Sequence, residues 1–293
     1  MIRAEVPADH PAAADPAPRL LRIVHLFPDL LSVYGDTGNI RSVEVRAAAR
    51  GIVVERTSVA AETPRLPCGD LYVIGGGQDR DQVAVERSLR RIGDALLGEI
   101  EAGAALLAVC GGYQSLGVEY RIPGGRLIRG PGVVDVRTVA GTRRLVGPVI
   151  ARVEAPVFGS ARTIVGFENH SGRTTLGPDS APLARIEVGH GNNDVDGTEG
   201  VIETPGTRGM LGLRIGTYLH GPLLPRNPHV CDVLIAAGLA RTGQPTDLLP
   251  LDDRDEWAAH DRYVERCRRH PWTDRLPPRV RRFVEPARNL VGF

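Results

Sequence analysis

Lysine is absent from this chain: all 36 basic residues are arginine, set against 35 acidic residues for a net charge of +1 over 293 residues. That absence excludes a phosphate loop of the GxxxxGK[ST] kind, whose lysine reaches the phosphates. The all-arginine usage itself reads as coding bias and carries no function. A balanced charge supplies no general field to draw in nucleic acid or an anionic membrane surface. Cysteine is scarce as well, with Cys68, Cys110, Cys231 and Cys267 only. Their spacing holds no CxxC pair and no zinc-finger pattern, which excludes a metal finger and a dithiol redox motif. No stretch approaches the roughly 18 apolar residues that a membrane span needs, and the opening MIRAEVPADHPAAADPAPRL lacks the apolar core of a secretory signal. These absences point to a reducing, cytoplasmic setting with unpaired thiols.

What is present is an ordinary globular composition, 42% hydrophobic and 24% charged, ample for a sizeable core. Residues 1–19 are Ala/Pro-rich without hydrophobic periodicity and are expected to form a disordered tail. Order should begin with a strand at Arg22–Leu26. A helix follows in which Asn39 is the expected cap and Gly51 the stop. IVVERTSV, DLYVIGGG and AALLAVC read as further strands, with a long amphipathic helix from about Asp81 to Ala102 before the last of them. Continuous apolar strands alternating with helices argue a parallel sheet covered on both faces, with its site at the carboxyl ends of the strands. From about Val133 the helical signal gives way to short strands with Gly/Pro/Asn turns, and a helix over about Pro228–Ala240 closes a domain spanning 20–242. Residues 243–293 form a basic C-terminal extension. Within it RDEWAAHDRYVERCRRH reads as a polar helix, expected to be a solvated appendage.

The stretch AALLAVCGGYQSLG puts Cys110 at the tip of a buried strand, directly before Gly111 and Gly112. Two readings compete. Cysteine is a small hydrophobe at home in cores, but a strand that turns sharply into a helix at its nucleophile also needs small neighbours around a strained residue. The amino end of the following helix would favour the thiolate. Gly75-Gly76-Gly77, ending the preceding strand, is either a tight turn or a row of N–H groups facing a developing oxyanion, one such donor being worth roughly 3 kcal/mol. A thiol nucleophile needs a histidine near it in space. His220, in GTYLHGP, ends an apolar strand as Cys110 does and ranks first, ahead of the loop candidates His170 and His190 and of His25 on the first strand.

AVCGGYQ resembles the nucleophile motif G-x-C-x-G-x-Q of class I glutamine amidotransferases, with alanine at the first position. YGDTGNIRSV, IGGGQD, GFENHSGRT, GNND and GTYLHGP follow in the order seen in the cobyric-acid-synthase-like branch, and most closely in the GatD family of glutaminase subunits of lipid II isoglutaminyl synthase. The resemblance spans about Leu21 to Leu239. It implies an α/β fold of the flavodoxin-like, class I glutamine amidotransferase kind: a mostly parallel sheet flanked by helices, with added short antiparallel strands. It also implies Cys110 as nucleophile, His220 as base, Arg144 (with Arg143 as its shadow) as the glutamine-binding arginine, Gln114 lining the pocket, and backbone N–H groups at Gly76 and Gly111 for the oxyanion.

Many class I domains carry a glutamate two residues after the histidine; here Pro222 stands there. Glu168 and Asp194 remain open as substitutes, while in the GatD branch an acid of the partner subunit is implied. The implied partner is a MurT-like Mur-ligase subunit in a heterodimer. ATP and Mg²⁺ belong on that subunit, and no cofactor or metal is expected in this chain. L-glutamine is the expected substrate, and lipid II is met through the partner at the inner membrane face. Two alternatives stand beside this: a glutaminase subunit of another synthase of the cobyric acid type, and a catalytically silent subunit that stabilises its partner.

Overall fold

The computed structural model describes residues 18–32, 35–77, 81–159, 163–220 and 222–269. The expected tail and the basic, proline-rich stretch after 270 lie outside these residues. The first half of the chain builds β1 (Leu20–Leu26), α1 (Thr37–Ala48), β2 (Val53–Val59), β3 (Leu71–Ile74), α2 (Gln82–Glu101), β4 (Ala105–Val109) and α3 (Gly111–Ser115). Then come β5 (Glu119–Arg121), β6 (Leu127–Arg129), β7 (Val136–Val153), β8 (Thr163–Leu176), β9 (Ala184–Val188), β10 (Thr198–Glu199), β11 (Val201–Glu203) and β12 (Arg214–Thr217). Helices α4 (Pro228–Arg241) and α5 (Arg254–Arg269) complete the order.

The main sheet runs β11-β12-β4-β3-β1-β2 and is parallel except for β11 at one edge. Every residue of β3 and β4 is buried, as the uninterrupted apolar runs LYVI and ALLAV require of strands covered on both faces. The outer edge β2, with Glu55, Arg56 and Thr57 exposed, shows the charged character that keeps a sheet edge from pairing further. α2 buries Val85, Leu89, Ile92, Leu96 and Ile100, a three-and-four spacing that makes one stripe. α4 lies so close to β1 that a side chain on Gly238 would stand 2.6 Å from Leu21 Cδ1.

Three expectations need correction. Asn39 does not cap α1: Asp36 precedes the helix, and Asn39 is buried in its first turn, where its Oδ1 accepts the Leu224 N–H at 2.9 Å. The short strands expected after Val133 are mainly a pair of long ones, β7 and β8, joined antiparallel in a second sheet with β5, β6, β9 and β10. Glycine within them serves close approach: a side chain on Gly166 would meet Leu219 Cβ at 2.9 Å. Finally, α5 is no solvated appendage. Tyr263 and Cys267 pack on Ile150 and Val165 of the β7–β8 ribbon, and Tyr263 Oη donates to Gly166 O at 2.6 Å. The segment before it is tied down by Arg46, which bridges Asp232 and Asp253 at 2.7 and 2.6 Å.

Candidate active site

Three neighbouring parallel strands end together. β3 runs into Gly75-Gly76-Gly77, β4 into Cys110 and β12 towards His220, and the open end of such strands is where α/β sheets hold their sites. Cys110 has φ 48° and ψ −104°, a conformation that crowds the β-carbon of any residue but glycine and is stored strain. It is held there by bonds on either side: its N–H donates to Thr217 O of β12 at 2.8 Å, and its carbonyl accepts the Gln114 N–H at 2.9 Å. Gly112 is required by space, since a side chain there would stand 2.8 Å from Ile74 Cγ1. The helix that follows, α3, spans only five residues, so only a short dipole acts at the sulfur.

His220 is positioned by its backbone. Its N–H donates to Phe167 O at 2.8 Å and its carbonyl accepts the Phe167 N–H at 3.2 Å, so β8 fixes the histidine that follows β12. Both side chains converge on Gly76. A β-carbon built there would overlap His220 Cε1, stand 3.2 Å from His220 Nδ1 and lie 3.3 Å from Cys110 Cβ. Cys110 is 4% exposed and His220 1%. Burial, with the neighbouring His170 imidazole and the positive charge of Arg144, pushes the His220 imidazole down to about 3. The ring is therefore neutral at physiological pH, the form that can accept a proton.

Arg144 reaches this region through a bulge. Between Ala140 and Leu145 the β7–β8 register shifts, leaving residues 141–144 opposite Ser171 alone; extra residues of this kind re-aim side chains beside active sites. Within the bulge Arg144 donates from Nε to Asn169 Oδ1 at 3.0 Å and from a terminal nitrogen to Asn169 O at 2.9 Å. Arg143 pairs with Asp194. The structure thus separates the two arginines, and it is Arg144 whose charge acts on His220.

Gln114 is buried with both amide ends engaged: Oε1 faces Gln82 Nε2 at 3.5 Å and Nε2 donates to Tyr218 Oη at 3.2 Å. Gly111 stands at the elbow, where a β-carbon would be 3.2 Å from Gly77 N. Gly76 departs from the expected role, because its N–H is taken by Asp36 Oδ2 at 2.8 Å. What Gly76 contributes is space for the histidine ring.

Both in-chain candidates for a third member are committed elsewhere. Glu168 is fully buried and accepts the His190 and Gly191 N–H groups at 2.8 and 2.9 Å, and it faces His170 Nε2 at 3.7 Å. Asp194 binds Arg143 and His190. His170 stacks on Tyr218 with ring centres 3.5 Å apart, and its Nδ1–H donates to Gly172 O at 2.9 Å. Sequence reasoning named Glu168 and His170 separately but missed their grouping with Tyr218; the signal was the two-residue spacing of Glu168 and His170, which puts both on one face of a strand. It also missed Asp36 and Asn169. Among the described residues no group of three or more His, Cys, Asp or Glu gathers into a metal site.

Comparison with known proteins bears on family and fold. Residues 22–228 match the CobB/CobQ-like glutamine amidotransferase domain. The chain is 38% identical to lipid II isoglutaminyl synthase (glutamine-hydrolyzing) subunit GatD of Staphylococcus aureus, over 85% of this chain and 97% of that one. It is 32% identical to the cobyric acid synthase of Nocardia farcinica over 63% of this chain but only 34% of that protein. Among solved structures, a glutamine amidotransferase superposes with a TM-score of 0.50 at 17% identity, covering 73% of this chain and 98% of that one, which is a likeness of fold.

Proposed function

Because the chain belongs to the CobB/CobQ-like glutamine amidotransferase family, we propose that it is a glutaminase subunit whose ammonia is used to amidate the α-carboxyl of D-glutamate in the lipid II stem peptide, in peptidoglycan synthesis. The observation that carries the chemistry is the convergence of Cys110 and His220 on Gly76. The acceptor is inferred from the relative named as the glutamine-hydrolysing subunit of lipid II isoglutaminyl synthase, almost all of which this chain spans. The cobyric acid synthases match over about a third of their length, which favours the lipid II reading.

The steps follow from the residues. His220, neutral in its buried position, takes the Cys110 proton as the sulfur attacks the side-chain amide carbon of L-glutamine. The carbonyl oxygen becomes an oxyanion beside the Gly111 N–H, a preorganised donor next to the buried Cys110. A buried imidazolium is costly, so the proton passes on to the leaving nitrogen, ammonia departs and a glutamyl thioester remains on Cys110. His220 then takes a proton from water, hydroxide adds to the thioester, and glutamate leaves as the thiol is restored. Arg144 suits the glutamine carboxylate, which a guanidinium grips through paired hydrogen bonds.

Activating a carboxylate for amidation needs ATP, and we assign that step, with its Mg²⁺, to a MurT-like Mur-ligase partner. The same partner supplies the acid that orients His220, since Pro222 occupies the usual position and Glu168 and Asp194 hold other groups. No described helix is long and apolar enough to cross a membrane; the work is done in the cytoplasm, at the inner membrane face where the partner meets lipid II. Affinity purification from the host, with the co-purifying chain identified by mass spectrometry, tests the assignment. A Mur-ligase-like protein in about equal amount supports it. A different ATP-dependent synthase redirects the ammonia, and loss of glutaminase activity in the complex with Cys110→Ala is required in either case.

A further inference from the structure

Asp36, the acidic residue of YGDTGN, has no role in the chemical steps of glutamine hydrolysis, yet it lies directly behind the glycine loop. It is fully buried and precedes α1, whose Asn39 N–H its backbone carbonyl accepts at 2.9 Å, but its side chain bonds no amide of that helix. Its Oδ2 instead accepts the Gly76 N–H at 2.8 Å. Gly75 comes so close that a β-carbon there would be 2.8 Å from both Asp36 Cβ and Oδ2. The other end of the same peptide is also held: Gly75 O accepts the Gly112 N–H at 3.1 Å. The Gly75–Gly76 peptide is thus clamped between a carboxylate and the first turn of α3, and a peptide plane is rigid.

The direction of the next amide follows from that clamp. Gly77 N lies beside the elbow, 3.2 Å from where a Gly111 β-carbon would stand, and no acceptor among the described residues takes its hydrogen. Asp36 cannot be explained as a stabilising cap. A helix N-cap side chain stabilises by bonding the first amides, which this carboxylate does not do, and Asp36 Oδ1 has no partner among the described residues. Nor does it serve His220 directly. The Gly76 N–H points to Asp36 while the Gly76 β-position points to the imidazole, so the glycine backbone stands between them.

We propose that Asp36 is a positioning residue: by holding the Gly75–Gly76 peptide it aims the Gly77 N–H, with that of Gly111, at the oxyanion formed on Cys110. This rests on the glutaminase reading of Cys110. It replaces Gly76 with Gly77 as the loop donor and gives the YGDTGN segment a task in the reaction.

The test compares Asp36→Ala and Asp36→Asn with the parent, each in complex with its partner subunit. Three quantities are measured: kcat and KM for glutamine hydrolysis, and the rate at which iodoacetamide alkylates Cys110. Alkylation needs the sulfur but no oxyanion donor. Asp36→Ala is expected to lower kcat about 100-fold or more, the effect of losing one such donor, with KM and alkylation within about 3-fold of the parent. Asp36→Asn keeps an oxygen that accepts the Gly76 N–H and is expected to restore kcat to within about 10-fold of the parent. Unchanged kcat in Asp36→Ala, a parallel fall in alkylation, or an Asp36→Asn as impaired as Asp36→Ala would each overturn the proposal. An inactive parent complex would bring down the glutaminase reading itself, which an active parent with an indifferent Asp36→Ala would leave standing.

Discussion

The imidazole of His220 occupies the space that a side chain on Gly76 would need, its Nδ1 being 3.2 Å from the position of that missing β-carbon. A methyl group cannot share that volume with the ring. Gly76→Ala is therefore expected to displace His220 and lower glutamine hydrolysis by two orders of magnitude or more, the scale of losing a general base. Unaltered near-ultraviolet circular dichroism would show that the fold survives. Activity close to that of the parent would mean that the ring and the loop do not meet as described.

The strain at Cys110 gives a second expectation. With φ 48° and ψ −104°, Cys110→Ala keeps the crowded β-carbon and Cys110→Gly removes it. Both variants should be inactive toward glutamine. The glycine variant should nevertheless be the more stable, by about 1–2 kcal/mol, once the entropy cost of glycine is set against the relieved strain. Thermal melts of the two proteins at one pH decide this.

The two arginines of the bulge should separate in kinetics. Arg144, anchored on Asn169, is expected to raise the glutamine KM about 10-fold or more when changed to alanine, as loss of a charge-assisted contact does. Arg143 is paired with Asp194 at the surface, and Arg143→Ala should leave KM within about 3-fold. The reverse pattern would transfer the carboxylate contact to Arg143.

Asp36 carries a pH signature in stability. Burial pushes its carboxyl up to about 6, against the pull of the Gly76 N–H. The groups facing it across the loop are the Cys110 thiol and the His220 imidazole. An acid whose pKa is raised by folding favours the folded state in its protonated form, and that stability is lost as pH rises through the folded value. Ionised Asp36 thus costs the fold something on the order of 3 kcal/mol above pH 6, and nothing below the ordinary carboxylate value. Asp36→Asn should raise the melting temperature at pH 8, and the gain should shrink below pH 6 and vanish near pH 4. A gain independent of pH would place the carboxyl in a more polar setting than the one seen.

Local signals were legible in sequence, and distant ones were not. Cys110 could be read because its strand, its sharp turn and its two glycines are contiguous. His220 could be read from its place after an apolar strand. The direction of the Gly76 N–H could not, since it depends on Asp36, 40 residues away. The bulge that sets Arg144 apart from Arg143 is likewise a matter of register between β7 and β8, which no local pattern encodes. The region after Val133 read as short strands rather than as the long β7 and β8 because glycine and proline usually interrupt strands. Within these strands, Gly166 and Gly172 allow Leu219 and Gln114 to approach the ribbon closely. The docking of α5 rests largely on His260, Tyr263 and Cys267, too few apolar positions to mark a packed face in an otherwise charged helix.

The central claim is that Cys110 attacks the glutamine side chain in a site that recognises glutamine. The most direct measurement is peptide mapping by mass spectrometry after exposing the partner-bound protein to a diazoketone analogue of glutamine, which alkylates an attacking thiolate with loss of nitrogen. The account predicts one adduct, on Cys110, formed more slowly when free glutamine is present and when Arg144 is alanine. An adduct on Cys68 instead, or labelling of Cys110 that glutamine does not slow, would contradict it.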